Sequence, residues 1–452
     1  MIISSTFGTI VVTNHRVCTK LAKNILQNNG SLIDASINIM LCEGVVAPQD
    51  SGLGGGFYGI FKLNNTPVFL LNSRERTPMA INHRSQIADK YCNIGIPGAI
   101  KGYVGLHRRF GNLPWKRVIL PVIKVCKRGH SPNSYTYRLI KLYKFERHYT
   151  RNYNRYYNKA LCNTLFKLAL KGGMYFYSVL SKKIIKELSP YNPYIKHEDF
   201  MTYRSALSNP NVLSYKNYKI YSTNYPAPGM YINQAFKELH NNKSLLEVLD
   251  NFYKNVSIDR YLRYKRKPPH TIYLGNKHST TNICIKRNEE ALCITSTINL
   301  YFGSGFYSSS TGIYLNNQLD DIPEYYTKIR RKTIPPTSIS TSIIYKNNKI
   351  DLILGGSGGN RIPAGIINVL YYYYILGYPL KKAIANNRIF YANDYLEIEN
   401  GLPPELYIKI FRNINKQLRI NIVTKSSYNT VTSISANSAS FDPRRGGLAL
   451  YF

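Results

Sequence analysis

The feature that most constrains this fold is a pair of apolar, β-branched segments separated by a short polar break. Residues 279–303 read STTNICIKRNEEALCITSTINLYFG, which is the pattern of a β-hairpin. If Asn288 and Glu289 form the tip, antiparallel pairing places Thr280 directly opposite Thr297. Asn-Glu is a poor two-residue turn because neither residue tolerates a positive φ as glycine does, but a four-residue turn keeps the same register. The sequence therefore predicts that two threonine hydroxyls meet across the hairpin.

The chain of 452 residues is long enough for one large hydrophobic core or two medium ones, and its 44% apolar content is typical of a globular protein. No run of about eighteen uninterrupted apolar residues occurs, so we expect no transmembrane helix. The opening residues, MIISSTFGTIVVTNHR, lack the basic, apolar and small-residue regions of a signal peptide. The sequence leaves the localisation open, with an intracellular protein as the simplest expectation.

Seven cysteines are scattered along the chain, with no Cys-x-x-Cys pair among them. This distribution favours reduced thiols that pack in the core, rather than a disulfide framework or a metal site. Cys284 and Cys293 would face each other across the predicted hairpin, where a disulfide is possible but is not expected. The seven are Cys18, Cys42, Cys92, Cys126, Cys162, Cys284 and Cys293.

A net charge of +36 raises the alternative of a nucleic-acid-binding protein. Residues 127–159 interleave basic side chains with tyrosines, as proteins that stack on bases do. Lys, Asn, Ile and Tyr are abundant throughout the chain, however, as expected from an AT-rich genome, and no nucleic-acid-binding motif accompanies the charge. We therefore favour a basic, solvated surface and do not expect nucleic acid to be a partner.

A threonine in a strand is most often only a sheet former, but this hairpin carries further motifs. TSTINLYFG at residues 295–303, with Gly312 and LNNQLDD at residues 315–321, closely resembles the small subunit of gamma-glutamyltranspeptidase. That family belongs to the N-terminal nucleophile hydrolases. Its precursor cuts itself before a threonine, which then performs the catalysis, and the matching residue here is Thr280.

The resemblance implies an α+β fold, the four-layer αββα sandwich of N-terminal nucleophile hydrolases. It also implies self-cleavage between Ser279 and Thr280. Residues 1–279 would form a large-subunit-like segment and residues 280–452 a small-subunit-like segment that carries the nucleophile. The two would interleave into one globular body, a heterodimer of the chain's own fragments.

Three features before residue 80 each support a separate prediction. Residues 16–43 show two helical patterns broken at Asn28-Asn29-Gly30. The glycines at 52 and 54–56 lack the spacing of a phosphate or dinucleotide loop and indicate a close backbone approach before a buried strand. Arg74 follows a second strand, and a guanidinium is the best bidentate clamp for a carboxylate. In the similar family, the arginine at this point holds the substrate α-carboxylate, a role that carries over to Arg74 and less well to Arg76.

A strand running into glycines at 355–359 allows two backbone N–H groups to converge on one point, although an ordinary strand-to-helix turn has the same appearance. The resemblance assigns an oxyanion hole to Gly358 and Gly359, and assigns the positioning of Thr280 to Thr297. It also implies that one set of residues binds the substrate α-carboxylate and that another set binds the α-ammonium. These are Arg74, Thr337 and Ser338 for the carboxylate, and Asn299, Gln318 and Asp321 for the ammonium.

The activity implied is hydrolysis or transfer of the γ-glutamyl group of glutathione and related compounds to water, amino acids or peptides, without metal or cofactor. The chain departs from the family at Asn282, where histidine is common, and in a shortened segment before Thr280. Two alternatives stay open. One is an inactive relative that acts as a basic binding protein, and the other is a related acylase with a different acyl group.

Overall fold

The computed structural model describes residues 8–452 except 154, 265–277, 325–326, 393–394, 402–418 and 425–428. Residues 265–277, which belong to the shortened segment at residues 239–279, therefore lie outside the described residues. The helices are α1 (Arg16–Gln27), α2 (Leu32–Val46), α3 (Ala99–Phe110), α4 (Trp115–Arg128), α5 (Ser134–Leu142), α6 (Lys159–Lys171), α7 (Ser181–Leu188), α8 (His197–Met201), α9 (Gly229–His240), α10 (Leu245–Tyr264), α11 (Ile362–Leu370) and α12 (Leu380–Ala385).

The strands run through both halves of the chain. They are β1 (Thr9–Thr13), β2 (Gly56–Lys62), β3 (Phe69–Ser73), β4 (Thr150–Asn152), β5 (Arg155–Tyr157), β6 (Ala206–Ser208), β7 (Asn211–Tyr215), β8 (Tyr218–Ser222), β9 (His278–Arg287), β10 (Glu290–Leu300), β11 (Tyr307–Ser308), β12 (Ile313–Tyr314), β13 (Ser342–Lys346), β14 (Lys349–Ser357), β15 (Ile389–Ala392), β16 (Tyr395–Glu399), β17 (Arg419–Val423), β18 (Thr430–Ser435), β19 (Ala439–Ser440) and β20 (Leu448–Tyr451).

The first helices follow the sequence pattern closely. The predicted break at residues 28–30 separates α1 from α2, and Ser31 caps the second helix. The Ser31 hydroxyl accepts a hydrogen bond from the Asp34 amide at 3.1 Å, and Asp34 Oδ2 accepts one from the Ser31 amide at 2.9 Å. Across the described residues, no helix is both long and apolar enough to span a bilayer.

Two large antiparallel sheets form the centre of the molecule. In the described residues the first sheet has seven strands in the order β20-β1-β9-β10-β2-β3-β6, and the second has six in the order β19-β18-β14-β13-β8-β7. Each sheet thus contains strands from before and after residue 280. Neither half of the chain could complete either sheet alone.

The two sheets stack face to face between two layers of helices. In β9, Ile283 and Ile285 pack into a core with α1, α2, α3, α4 and α6, whereas Cys284 faces the second sheet. In β14, Leu352 and Leu354 pack with α9–α12. This period-two alternation buries both faces of each sheet. The predicted four-layer αββα sandwich is confirmed.

The hairpin that the sequence predicted is formed by β9 and β10. Thr280 lies directly opposite Thr297, as expected, and Arg287 pairs with Glu290. The tip is therefore the two-residue turn Asn288-Glu289, although neither residue type favours a positive φ. It forms because Asn288 takes a φ of 53°, a left-handed conformation that the short polar asparagine side chain tolerates better than most residues do.

The glycines before β2 allow the close approach that their clustering predicted. A Cβ atom on Gly54 would overlap the carbonyl oxygen of Tyr314, and one on Gly55 would overlap that of Thr297. The glycine run therefore packs directly against the backbone of β10, next to the threonine pair.

The expectation that all cysteines are reduced is wrong for four of them. Cys18 bonds to Cys42 between α1 and α2, and Cys126 bonds to Cys162 between α4 and α6, each with Cα atoms 5.6 Å apart. The partners are 24 and 36 residues apart in the chain, so only the packing of one helix on another brings them together. The other described cysteines are free thiols, namely Cys92, Cys284 and Cys293.

Candidate active site

The hairpin brings two threonine hydroxyls together in a buried setting. Thr280 Oγ1 donates a hydrogen bond to Thr297 Oγ1 at 3.3 Å, and both residues are 4% exposed. Thr297 Oγ1 donates to the carbonyl oxygen of Ser279 at 2.7 Å and accepts from the Asn299 amide at 2.8 Å. A single hydroxyl therefore links the Thr280 side chain to the peptide bond that precedes Thr280.

A buried ion pair contacts the two residues that flank this peptide bond. The Ser279 hydroxyl donates a hydrogen bond to Asp50, and Arg445 Nη1 donates to the carbonyl oxygen of Thr280 at 3.2 Å. Arg445 Nη1 also lies 3.8 Å from Asp50 Oδ1. The ion pair holds Ser279 through its side chain and Thr280 through its backbone.

Two buried carboxyl groups near the threonine pair have strongly raised pKa values. Burial raises the pKa of Asp50 to about 7, although the charge of Arg445 and a hydrogen bond from Gln49 favour the ionised form. Burial, and then repulsion from Asp50, raise the pKa of Glu43 to about 8. Hydrogen bonds from Thr13, Thr281 and the His15 backbone lower the Glu43 pKa but do not cancel the effect of burial. Both groups therefore change protonation close to neutral pH.

Arg74 follows β3 directly and has its guanidinium fully buried. Its Nε lies 3.3 Å from Glu75 Oε2, and its Nη2 lies 3.9 Å from Asp321 Oδ2. None of its three guanidinium nitrogens donates a hydrogen bond to another described residue. A buried guanidinium with unused donors suits a carboxylate, which can accept two parallel hydrogen bonds from it.

Amide and carboxylate groups lie beside Arg74. Gln318 Nε2 donates to Asp321 Oδ2, and Gln318 Oε1 has no hydrogen-bond partner in the described part of the chain. Asn299 Nδ2 donates to the Asn317 carbonyl oxygen at 3.1 Å. The Asp321 side chain keeps 24% exposure. Oxygens of this kind, one of them charged, suit an ammonium group.

The opposite wall comes from the segment that precedes β13 and from the loop between β14 and α11. Ser338 Oγ donates to Asn360 Oδ1 at 2.8 Å, and Thr337 Oγ1 accepts from the Ile339 amide at 3.2 Å. Gly358 has a φ of 120° and Gly359 a φ of 58°. A Cβ atom on Gly358 would lie 2.6 Å from Asn429 Cβ, so both the backbone conformation and the space require glycine there.

One cleft gathers almost all of the residues that the sequence singled out. They come from five separate parts of the chain, and they meet where the glycine loop faces the hairpin. Ser279 and Gly358 adjoin the cleft as chain neighbours of residues that line it. The predicted residues in the lining are Arg74, Thr280, Thr297, Asn299, Gln318, Asp321, Thr337, Ser338 and Gly359.

The weaker arginine candidate is directed elsewhere. Arg76 donates from Nε to the Arg204 carbonyl oxygen at 3.2 Å and from Nη1 to that of Lys332 at 3.3 Å. These contacts tie the chain together beside the cleft and leave Arg74 as the arginine within it.

Sequence reasoning missed three residues at the site, namely Asp50, Asn360 and Arg445. Asp50 was visible as an isolated acidic residue just before the glycine run. Arg445 was visible only as one of two adjacent arginines, Arg444 and Arg445, near the end of the sequence. Nothing in the sequence marks Asn360, whose side chain matters because it accepts from Ser338.

The cleft offers hydroxyl, amide, guanidinium and carboxylate groups for chemistry. Among the described residues, no cluster of three or more His, Cys, Asp or Glu side chains is arranged to hold a metal ion.

Comparisons with known proteins agree with this geometry. The sequence model of the family described as Gamma-glutamyltranspeptidase matches residues 18–255 and 230–452. The chain is 26% identical to glutathione hydrolase 2 of Arabidopsis thaliana, over 97% of this chain and 92% of the relative. It is 25% identical to the glutathione hydrolase 5 proenzyme of Rattus norvegicus, over 83% of this chain and 80% of the relative.

Among solved structures, the fold is similar to that of a cephalosporin acylase from Bacillus halodurans, with a TM-score of 0.82 at 17% identity over 99% of this chain and 96% of the other. At that identity the likeness shows the shared N-terminal nucleophile hydrolase fold. The family match, in contrast, covers residues 18–452 and so includes every segment that contributes to the cleft. The chain therefore belongs to the gamma-glutamyltranspeptidase family.

Proposed function

We propose that the protein cleaves the γ-glutamyl amide bond of glutathione and related compounds, and passes the glutamyl group to water, amino acids or peptides. The observation that carries this proposal is the buried guanidinium of Arg74 in the same cleft as the Thr280–Thr297 pair. A γ-glutamyl donor presents an α-carboxylate and an α-ammonium next to the amide to be cleaved. Two relatives named glutathione hydrolase support the same reaction class.

Maturation begins when Thr280 Oγ1 attacks the carbonyl carbon of Ser279. The Thr280 proton passes to Thr297 Oγ1 while Thr297 gives its own proton to the Ser279 oxygen, so no net charge forms in the buried site. When the intermediate collapses, that proton moves to the departing nitrogen as the C–N bond breaks. Thr280 then has a free α-amine and an ester to Ser279 on its oxygen. Water hydrolyses the ester.

The two products, residues 1–279 and 280–452, stay together as a heterodimer because each sheet draws strands from both. The new α-amine of Thr280 titrates at about 7.7 to 8.0 when unperturbed, so unlike a peptide nitrogen it can serve as a base near neutral pH. It removes the proton from its own hydroxyl. Thr297 keeps that hydroxyl in position.

Substrate binding follows from the charges of the cleft. Arg74, Thr337 and Ser338 take the α-carboxylate of the donor. Asn299, Gln318 and Asp321 take its α-ammonium. With both ends of the glutamyl group held, its γ-carbonyl carbon faces the Thr280 hydroxyl.

Acyl transfer then proceeds without a cofactor. Thr280 Oγ1 bonds to the γ-carbonyl carbon, and the backbone amides of Gly358 and Gly359 stabilise the oxyanion, with each donor contributing about 3 to 4 kcal/mol. The leaving amine takes a proton from the α-ammonium of Thr280. Water or an acceptor amine then attacks the resulting ester and releases the glutamyl group.

The test begins with the purified full-length chain on a denaturing gel. We expect two fragments, with the smaller one beginning Thr-Thr-Asn-Ile by Edman sequencing, and release of product from a γ-glutamyl anilide. Thr280→Ala should remain a single band and be inactive. An uncut and inert wild-type chain would instead identify the protein as an inactive family member.

A related acylase with another acyl group is the competing reaction, and the likeness to a cephalosporin acylase makes it worth measuring. The comparison is between γ-glutamyl anilide and anilides of uncharged acyl groups. Faster release from the uncharged anilides would overturn the glutamyl assignment while leaving the threonine nucleophile intact.

A further inference from the structure

More than half of the protein's net charge lies in about a fifth of the chain. Residues 90–186 contain 21 lysines and arginines against one acidic residue, Glu146, and so account for +20 of the +36. This stretch includes α3–α6, which cover the first sheet. The outer helical layer on that side is therefore strongly basic.

Helices α4 and α6 form a defined part of this layer. The indole nitrogen of Trp115 donates to the Leu168 carbonyl oxygen at 2.9 Å, and the Cys126–Cys162 disulfide joins the other end of α4 to the start of α6. The helices therefore lie antiparallel and are locked side by side. Neither contains an acidic residue.

The surface that these helices turn to solvent, called here the α4–α6 face, combines basic and apolar side chains. Among the described residues, none of its eight cations lies within 4.0 Å of a carboxylate oxygen. Phe166 is 42% exposed and Leu170 is 49% exposed, one helical turn apart, and Lys127 Nζ lies 5.3 Å from the centre of the Phe166 ring. The cations are Lys116, Arg117, Lys124, Lys127, Arg128, Lys159, Lys167 and Lys171.

Nucleic acid fits this surface less well than lipid does. The tyrosines that the sequence interleaves with bases are mostly packed against the protein. Tyr156 is 4% exposed, while Tyr143 and Tyr149 pack in a cluster with Phe302 and Tyr314. The exposed apolar groups on the α4–α6 face are one phenylalanine and one leucine, and leucine offers no flat surface on which a base can stack.

We propose that the α4–α6 face docks on an anionic lipid bilayer. Its cations would lie among the headgroups, and Phe166 and Leu170 would enter the boundary of the acyl chains. A rigid, disulfide-locked helix pair loses little conformational freedom on binding. The inference does not depend on catalysis, so it stands or fails separately from the proposed reaction.

The test is flotation of the full-length protein with phosphatidylcholine vesicles prepared with and without phosphatidylserine. We expect binding only to the anionic vesicles, and weaker binding as salt is added. A fourfold charge reversal, Lys124→Glu, Lys127→Glu, Lys167→Glu and Lys171→Glu, should lower the partition coefficient by at least about 100-fold, because each basic residue contributes roughly fivefold.

A matched control reverses four exposed lysines of the second sheet and of α12, Lys346→Glu, Lys349→Glu, Lys381→Glu and Lys382→Glu. It carries the same net charge and should keep most of the binding. Phe166→Ala with Leu170→Ala retains every charge and should weaken binding about tenfold. Thermal melting of each variant verifies that it is folded.

Two results would overturn the proposal. Equal losses in the face variant and its control would show that total charge, and not this face, is responsible. Failure to bind anionic vesicles would also overturn the proposal. If the protein then binds single-stranded RNA, and the Phe166→Ala and Leu170→Ala changes leave that binding intact, the surface would be assigned to nucleic acid.

Discussion

At the scale of single residues, the proposed recognition of a γ-glutamyl donor depends on one buried guanidinium. Arg74 is held beside Glu75 and Asp321, yet its donors are unused by the described residues. Glu75 keeps a carboxyl pKa above its usual value because it is buried, even though Arg74 lies next to it. The two carboxyl groups therefore lie beside the guanidinium without taking up its hydrogen-bond donors.

Arg74→Lys keeps the charge next to Glu75 but loses the ability to donate two parallel hydrogen bonds to a carboxylate. We expect kcat/KM for a γ-glutamyl anilide to fall by about 10- to 100-fold, mainly through KM, because a charge-assisted hydrogen bond contributes about 1.5 to 3 kcal/mol. Self-cleavage should be unaffected because it needs no substrate carboxylate. Arg76→Lys, just outside the cleft, is the matched control, and an equal effect of both changes would contradict this role for Arg74.

Glu43 provides a prediction about pH. Burial raises its pKa from an ordinary 4.5 to about 8, so between these values the folded protein holds a proton that the unfolded chain has lost. The free energy of unfolding should therefore fall as pH rises through this window, by up to about 1.4 kcal/mol per pH unit. The contribution of Glu43 to the free energy of unfolding is therefore fully present below pH 4.5 and is lost above pH 8.

Glu43→Gln keeps the shape of the side chain and removes the titration. Relative to wild type, the variant should gain stability steadily from pH 5 to pH 8 in chemical denaturation. Glu247→Gln, at a half-exposed position on α10, is the control and should parallel wild type. A constant difference between Glu43→Gln and wild type across this range would show that Glu43 does not titrate there.

At the scale of elements, the β9–β10 hairpin positions the two threonines that we propose take part in the reaction. Period-two alternation fixes which side chains share a face, so the pairing of Thr280 with Thr297 follows from the sequence once the hairpin is recognised. The tip was harder to predict because Asn288 adopts a positive φ. The register was the same for either turn, so the choice between the two turns did not affect the predicted pairing at the site.

The hydroxyl of Thr297 is predicted to be necessary for self-cleavage. Thr297→Val preserves the shape and β propensity of the side chain but removes both the donor to Ser279 and the acceptor from Thr280. It should remain a single band for hours under conditions in which wild type is fully cut. Thr297→Ser should still yield both fragments, and maturation of Thr297→Val at the wild-type rate would exclude the proton relay.

At the scale of the whole molecule, the two disulfides brace the helical layer that covers the first sheet. One joins α1 to α2 and the other joins α4 to α6. Neither disulfide contributes a group to the cleft. Their expected effect is therefore on stability and not on chemistry.

Cys126→Ser with Cys162→Ser opens a loop of 36 residues and should lower the free energy of unfolding by about 3 kcal/mol. The apparent melting temperature should fall by several degrees, and adding a reductant should then affect the variant less than wild type. Cys92→Ser, at a buried free thiol, is the control. Identical melting of wild type and the double variant without reductant would contradict the prediction.

The sequence by itself determined the local and periodic features of this protein. It was sufficient for the break between α1 and α2, the hairpin register and the close approach of the glycine run. The αββα layering and the set of residues in the cleft were anticipated only through resemblance to a family. Local patterns are readable because they depend on backbone preferences and on alternation within a few residues.

Only the tertiary structure decided the contacts between distant side chains. Asp50 meets Ser279 across 229 residues, and Arg445 meets Thr280 across 165. The bonded cysteines are likewise paired by helix packing and by no spacing motif. Such contacts depend on how the complete layers of helices and sheets stack. That stacking is a property of the whole core, and no short stretch of sequence encodes it.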